Sequence, residues 1–275
     1  MKIIYLKKEA NMLKTGFYIM LPLLLILLSC FNKPQDEFDK LNESSNWELK
    51  FSDSGDKDWQ KNWFLDGEIA RVEHNKYGMD LIAGPINKND AHHSVLWTKE
   101  SFEGDVKIEY NYTRTDDQVI NVNIMYIQAT GIGTEGFDKD ITKWNEYRKV
   151  PKMSKYYLNM NTIHISYAAF PTVNEDPKND YIRVRRYPAS EKSTFKKTEV
   201  PPSFDKIGLF LPDVTYKMTW IKSGDKLHLK VEGDNRLEKY SWDLSVFPAI
   251  SEGRIGLRHM YTRSASYSDF KVSIK

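Results

Sequence analysis

From Trp47 to the last residues, short stretches of the chain alternate apolar and polar positions. Successive side chains of a strand point to opposite faces, so a period of two marks a strand with one buried face. The pattern predicts strands at residues 48–51, 70–73, 79–82, 94–98, 106–112, 119–128, 157–168, 181–187, 216–223, 226–232, 254–260 and 267–274. Gly224-Asp225, between two of these, predicts a hairpin turn. Many short strands without a long amphipathic helix predict an all-β jelly-roll sandwich of two antiparallel sheets. There is no internal repeat, and no linker follows residue 46, so residues 47–275 are expected to form one domain. Three long connections, at 130–155, 169–180 and 188–206, flank the central strands. Loops of that length in a compact domain are often functional, and here they would surround a groove.

The first thirty residues follow another rule. Lys2, Lys7, Lys8 and Lys14 precede an apolar run at 16–28, which ends in Leu27-Leu28-Ser29-Cys30. A basic leader, a short apolar run and a small residue before the cleavage point make a secretion signal. The run is shorter than the roughly 20 apolar residues of a spanning helix. Residues 1–29 are therefore expected to be a signal peptide. Residues 30–46, polar and charged with Pro34, read as a flexible tether.

Composition narrows the chemistry. The chain has 40 basic and 38 acidic residues, and residues 1–29 hold four of the lysines and Glu9. The remainder is near neutral and lacks a long basic run, which argues against nucleic acid as a partner. Cys30 is the only cysteine. The domain is thus expected to have no disulfide, thiol nucleophile or cysteine metal site. No Gly-rich phosphate loop or Gly-x-Ser-x-Gly elbow is present, and no cofactor is expected.

Leu-Leu-Ser-Cys resembles the bacterial lipobox, which implies acylation of Cys30 and attachment to a membrane. Asn32 after that cysteine, and the stretch Lys33-Pro34-Gln35-Asp36-Glu37, resemble the sorting signals of outer-membrane and surface lipoproteins. Within the domain, Leu96-Trp97-Thr98-Lys99 and 102–110 resemble the early strands of concanavalin-A-like jelly rolls, and 253–258 with 267–272 their closing strands. Residues 157–167 and 258–265 resemble an uncharacterised bacterial family of such jelly rolls found beside rhamnogalacturonan- and ulvan-degrading enzymes. The resemblance implies an acidic, possibly sulfated, poly- or oligosaccharide as partner. It also implies either uronate β-elimination, as lyase or oligosaccharide dehydratase, or non-catalytic glycan binding.

Elimination from a uronic acid needs a group to neutralise the carboxylate, a base near the C5 proton and an acid for the leaving oxygen. His164 is the candidate base. It lies opposite Ile163 and Ile165 and resembles the His of the Gln-Ile-His strand in alginate-lyase-type jelly rolls, with Thr162 here in place of Gln. It also reads as a hydrogen-bonded histidine with no catalytic role. Tyr181, Arg183, Arg185 and Tyr187 share one strand face, opposite Ile182 and Val184. Two arginines on one face suit bidentate capture of a carboxylate or sulfate, or form a solvated face of ion pairs. Tyr187 is the candidate proton donor. Arg254, Gly256 and Arg258 form another one-sided set. Aligned on the glycine, Arg258 stands where the alginate-lyase pattern has its catalytic Tyr, which suggests a carboxylate-binding role for Arg258. His259 is expected to face the other way. Asn121 and Asn123 are expected to line the groove, as is His93 of the pair His92-His93. Adjacent strand residues diverge, so His92 and His93 are not expected to share a metal. Hydrolysis would need two carboxylates about 5–9.5 Å apart, and no strand carries the Glu-x-Asp-x-(x)-Glu pattern of jelly-roll glucanases.

Overall fold

A computed structural model describes residues 34–173 and 175–275. The signal segment, Cys30, Asn32 and Lys33 lie outside the described residues. Among the described residues there are sixteen strands and two α-helices: α1 (Pro34–Asn42), β1 (Glu48–Asp53), β2 (Trp63–Asp66), β3 (Arg71–Asn75), β4 (Gly78–Ile82), β5 (Ser94–Thr98), β6 (Phe102–Glu103), β7 (Val106–Arg114), β8 (Asn123–Gly131), α2 (Met153–Asn159), β9 (Met160–Ala169), β10 (Tyr181–Tyr187), β11 (Glu199–Asp205), β12 (Thr215–Ser223), β13 (Lys226–Gly233), β14 (Arg236–Asp243), β15 (Glu252–His259) and β16 (Ser264–Ile274).

The strands form two antiparallel sheets, as the alternation predicts. The first runs β14-β13-β12-β7-β16-β4-β3, with β1 also on β16. The second runs β11-β10-β9-β8-β15-β5-β2, with β6 also on β15. Between them lies an apolar core that includes Ile108, Met125, Ile163, Ile165, Ile182, Val184, Trp220, Leu229 and Leu257. Tyrosine rings fill its middle, and their hydroxyls find partners across the layers or on a neighbouring strand. Tyr167 and Tyr267 hydroxyls are 3.2 Å apart, and Trp220 Nε1 donates to the Tyr110 hydroxyl at 3.1 Å. A buried hydroxyl without a partner costs roughly 1–3 kcal/mol, so these pairs let polar rings serve as core. His259 faces this layer as expected, with Nε2 2.8 Å from the Tyr267 hydroxyl.

Four strands carry no readable alternation. β14 has a mixed polar pattern at a sheet edge, and β11 contains Pro201 and Pro202. Proline removes a ladder donor and is confined to such edges. β2 and β6 are short. The strand expected at 157–168 begins at Met160, because residues 153–159 form α2. The stretch expected as a tether is also ordered over α1. Phe38 is 2% exposed, in edge contact with His228, and Lys239 reaches Asp39 at 2.5 Å. Trp47 Nε1 then donates to Leu41 O at 2.6 Å. One buried aromatic ring thus docks an otherwise polar segment on the outer face of the first sheet.

Phe38→Ala is expected to release α1 alone. Loss of a buried Phe side chain costs roughly 3 kcal/mol. Hydrogen exchange should show about a hundredfold loss of protection for the α1 amides, with the sheet amides unchanged.

Candidate functional site

The outer face of the second sheet is assembled from rows of cross-strand neighbours. One row reads Arg185, His164, Tyr126, Gly256, Trp97, Phe64 across β10, β9, β8, β15, β5 and β2. The next reads Arg183, Ser166, Ile124, Arg258, Val95, Asp66. Parity thus brings His164, Arg183, Arg185, Tyr187 and Arg258 onto one face, as the sequence predicts. Gly256 has a steric task in its row. A Cβ there would lie 2.4 Å from Trp97 Cζ3, so only a bare backbone lets the indole lie across the sheet.

The long connections cover this face. The 3-10 segment Ile141–Arg148 and α2 fold over it and build a second apolar cluster with Val95, Trp97, Val122, Ile124, Tyr126 and Met160. Tyr156 of α2 stacks against Trp97 and Tyr126, with ring centroids at 6.5 and 6.0 Å. The Asp66 carboxylate, 1% exposed, anchors the arrangement. It accepts from Trp97 Nε1 at 2.8 Å, Asn145 Nδ2 at 2.8 Å, Arg148 Nε at 2.6 Å and the Tyr156 hydroxyl at 2.9 Å.

A cluster of buried polar atoms lies beside this stack. His164 is stacked on Tyr187, with centroids 5.0 Å apart, and is 5.6 Å from Tyr126. Both ring nitrogens of His164 and the hydroxyls of Tyr126 and Tyr187 are buried without a hydrogen-bond partner. So are Nε and Nη1 of Arg258. Its Nη2 donates to Pro151 O at 2.6 Å and to His93 Nδ1 at 2.8 Å, and its guanidinium lies 4.4 Å over the Tyr156 ring. An acceptor role for His93 Nδ1 places its proton on Nε2. His93 therefore sits against Arg258 and positions it. Burial, then the Arg258 charge, lowers the His93 pKa to about 2. Burial followed by the charges of Arg185 and Arg258 holds His164 well below the ordinary histidine range. Burial also pushes the Tyr187 hydroxyl well above its usual range and Tyr126 to about 12. At neutral pH the cluster therefore contains a neutral imidazole, two neutral phenols and one guanidinium.

Two expectations are corrected. Asn123 does not line this face. Its side chain enters the core between the sheets and donates to the Tyr112 hydroxyl at 2.6 Å. Asn121, at φ +68°, is fully buried and held by Asn87 Oδ1 at 3.3 Å and Tyr261 O at 3.4 Å. The outer face there is apolar, with Val122, Ile124 and Tyr126, so polarity misassigned the faces of a strand buried on both sides. Of the two readings of Arg183 and Arg185, the structure shows the ion-paired face. Glu199 of β11 reaches Arg185 at 3.1 Å and Arg183 at 3.6 Å, and Arg183 also meets Asp205 at 3.7 Å. Tyr181 lies at the outer end of their strand under the Arg183 guanidinium at 4.5 Å, and with it lines a cavity of about 610 Å³. The sequence reading missed Tyr126, Tyr156 and Asp66. Tyr126 was recoverable from the parity of β8, but Tyr156 and Asp66 depend on how the long connection folds.

Comparison with known proteins places this geometry in a family. The model of DUF1961, a domain of unknown function, matches residues 54–272. The chain belongs to that family. The uncharacterised protein YesU of Bacillus subtilis (strain 168) is 23% identical over 222 residues, covering 77% of this chain and 89% of YesU. A protein of unknown function with galectin-like fold from Bacillus subtilis superposes with a TM-score of 0.64 at 17% identity, covering 83% of this chain and 99% of that one. Lectin II from Ulex europaeus superposes at 0.54 with 8% identity, covering 84% and 100% of the chains. The exoplasmic/lumenal domain of VIP36, in a Ca2+/Man3GlcNAc-bound form, does so at 0.53 with 10% identity, covering 83% and 91%. These likenesses establish the lectin-like jelly-roll fold of this DUF1961 domain.

The buried histidines give a pH dependence with a defined sign. His93, His164 and His259 are neutral in the fold, with pKa values depressed below the ordinary 6.5 by burial. The unfolded chain therefore binds more protons below pH 6.5, and stability contributed above that pH is lost as pH falls. Each histidine contributes a slope of about 1 kcal/mol per pH unit below its unfolded pKa. Denaturant midpoints are expected to fall steadily from pH 7 to pH 5, and the fall should be shallower in His259→Phe.

Proposed function

We propose that this DUF1961 domain recognises glycans on the outer face of its second sheet, at the cluster formed by Tyr126, His164, Tyr187 and Arg258. The buried polar atoms without partners carry the reading. Each costs roughly 1–3 kcal/mol when left unsatisfied, and a sugar supplies hydroxyls and ring oxygens suited to them. Nε and Nη1 of Arg258 offer two further donors with no carboxylate among the described residues in ion-pair contact, which suits the carboxylate of a uronic acid. The lectin fold supports this reading, since among the solved neighbours one holds Man3GlcNAc. Tyr157 and Phe195, whose rings meet at 4.7 Å, flank Tyr187 of this cluster.

Calorimetry with oligomers of ulvan, rhamnogalacturonan and alginate tests this. Arg258→Gln is expected to weaken binding of an acidic oligomer by about tenfold or more, as loss of a charge-assisted hydrogen bond predicts. Unchanged affinity in that variant would sink the assignment.

A second reading follows from the state of His164. A neutral imidazole with no partner, beside two protonated phenols, fits uronate β-elimination. His164 would take the C5 proton, the electron pair would form the C4–C5 double bond, and the C4–O bond would break with Tyr187 protonating the oxygen. A glycosidic leaving oxygen makes this a lyase, and a terminal hydroxyl makes it an oligosaccharide dehydratase. His164→Ala separates the two functions. A binder forms no ultraviolet-absorbing unsaturated uronate even in the wild-type chain, whereas an eliminase forms it and loses nearly all of that formation in His164→Ala. Loss of one water rather than chain shortening identifies the dehydratase.

The proposed setting is an exported lipoprotein on the outer membrane, acylated at Cys30. Labelled palmitate is expected to enter the wild-type chain but not Cys30→Ser.

A further inference from the structure

Among the described residues, every arginine except two lies within 4 Å of a carboxylate. One exception is Arg258, in the site above. The other is Arg186, one position before Tyr187 on β10 and only 5% exposed. Its side chain leaves the opposite face of the strand from Arg185 and ends at the rim of the sandwich. All its partners are neutral. Nε donates to Pro248 O at 3.1 Å, Nη2 to Asn161 Oδ1 at 2.6 Å, and Nη1 to Tyr187 O. A guanidinium has five N–H groups, so two remain for another acceptor. No acidic residue offsets its burial, which alone lowers its pKa to about 10.

Arg186 lines a cavity of about 420 Å³. Lys197, which is exposed and has no ion-pair partner among the described residues, lines the same cavity, as do Ser190 and Thr194. Pro188 and Phe247 supply apolar wall, and no Asp or Glu is among the lining residues. The volume matches a single sugar ring or smaller molecule. A buried cation without a counter-charge, beside a second cation and two hydroxyls, has the composition of an oxyanion receptor.

We propose that this cavity, which shares only Tyr187 with the Arg258 cluster, is a second binding site that takes an oxyanion on Arg186 and Lys197. The anion is a carboxylate or sulfate, either carried on a single sugar unit or free in solution. The assignment rests on the charges around Arg186 and does not depend on the proposed function.

The test follows the Nε–H signal of Arg186 by nitrogen-15 NMR in the full chain. Sodium sulfate, glucuronate and neutral glucose are titrated separately. The expected result is a saturable shift with sulfate or glucuronate and none with glucose. Tighter binding of glucuronate assigns the site to a sugar substituent, and tighter binding of sulfate assigns it to the free anion. Lys197→Glu, at an exposed position, is expected to keep the fold and weaken the anion by about tenfold. Arg258→Gln should leave this titration unchanged, so loss of the Arg258 site does not imitate loss of this one. The proposal is overturned by an Arg186 signal that stays still with both anions, or by equal anion affinity in Lys197→Glu.

Discussion

One buried carboxylate organises the candidate site. Asp66 lies at the end of β2 and accepts hydrogen bonds from Trp97, Asn145, Arg148 and Tyr156. Two of these donors come from the 3-10 segment and one from α2, so the carboxylate adds polar contacts to the apolar cluster that these segments build on the sheet. An ionised carboxylate deprived of water is strongly unfavourable unless its lone pairs are filled. The connection is therefore compelled to bring its donors to Asp66. In doing so it places the Tyr156 ring under the Arg258 guanidinium and against Trp97 and Tyr126. Gly256 completes the arrangement by leaving room for the indole.

The two faces of the second sheet solve the same problem differently. Toward the core, the Tyr112, Tyr167 and Tyr267 hydroxyls are matched with one another or with Asn123 and His259, which leave only Asn123 Oδ1 and His259 Nδ1 of this group unmatched. Toward the outside, His164, Tyr126, Tyr187 and Arg258 keep unmatched atoms at similar burial. A network that is satisfied rigidifies a core, whereas one left open in a folded protein is a sign of an absent partner.

Strand alternation made much of this legible. It put His164 opposite Ile163 and Ile165, grouped Arg183, Arg185 and Tyr187, and turned His259 away from Arg258. It failed on β8, where both faces are buried and polarity no longer tells inside from outside. It also could not see that Glu199 would neutralise the arginine pair, because β11 is interrupted by prolines and does not read as a strand. Long-range matches such as Asp66 with Tyr156 leave no local trace. They arise from closure of a connection whose residues show no period.

The docking of α1 gives the domain a front and a back. The helix rests on His228 and Lys239 at the outer face of the first sheet, while the Arg258 cluster lies beyond the second. Two sheets about 10 Å apart therefore separate the chain's point of entry from its candidate site. A surface holding the preceding residues would meet the back of the sandwich. The ligand would then approach from the open side, and anchoring and recognition would not compete for the same face.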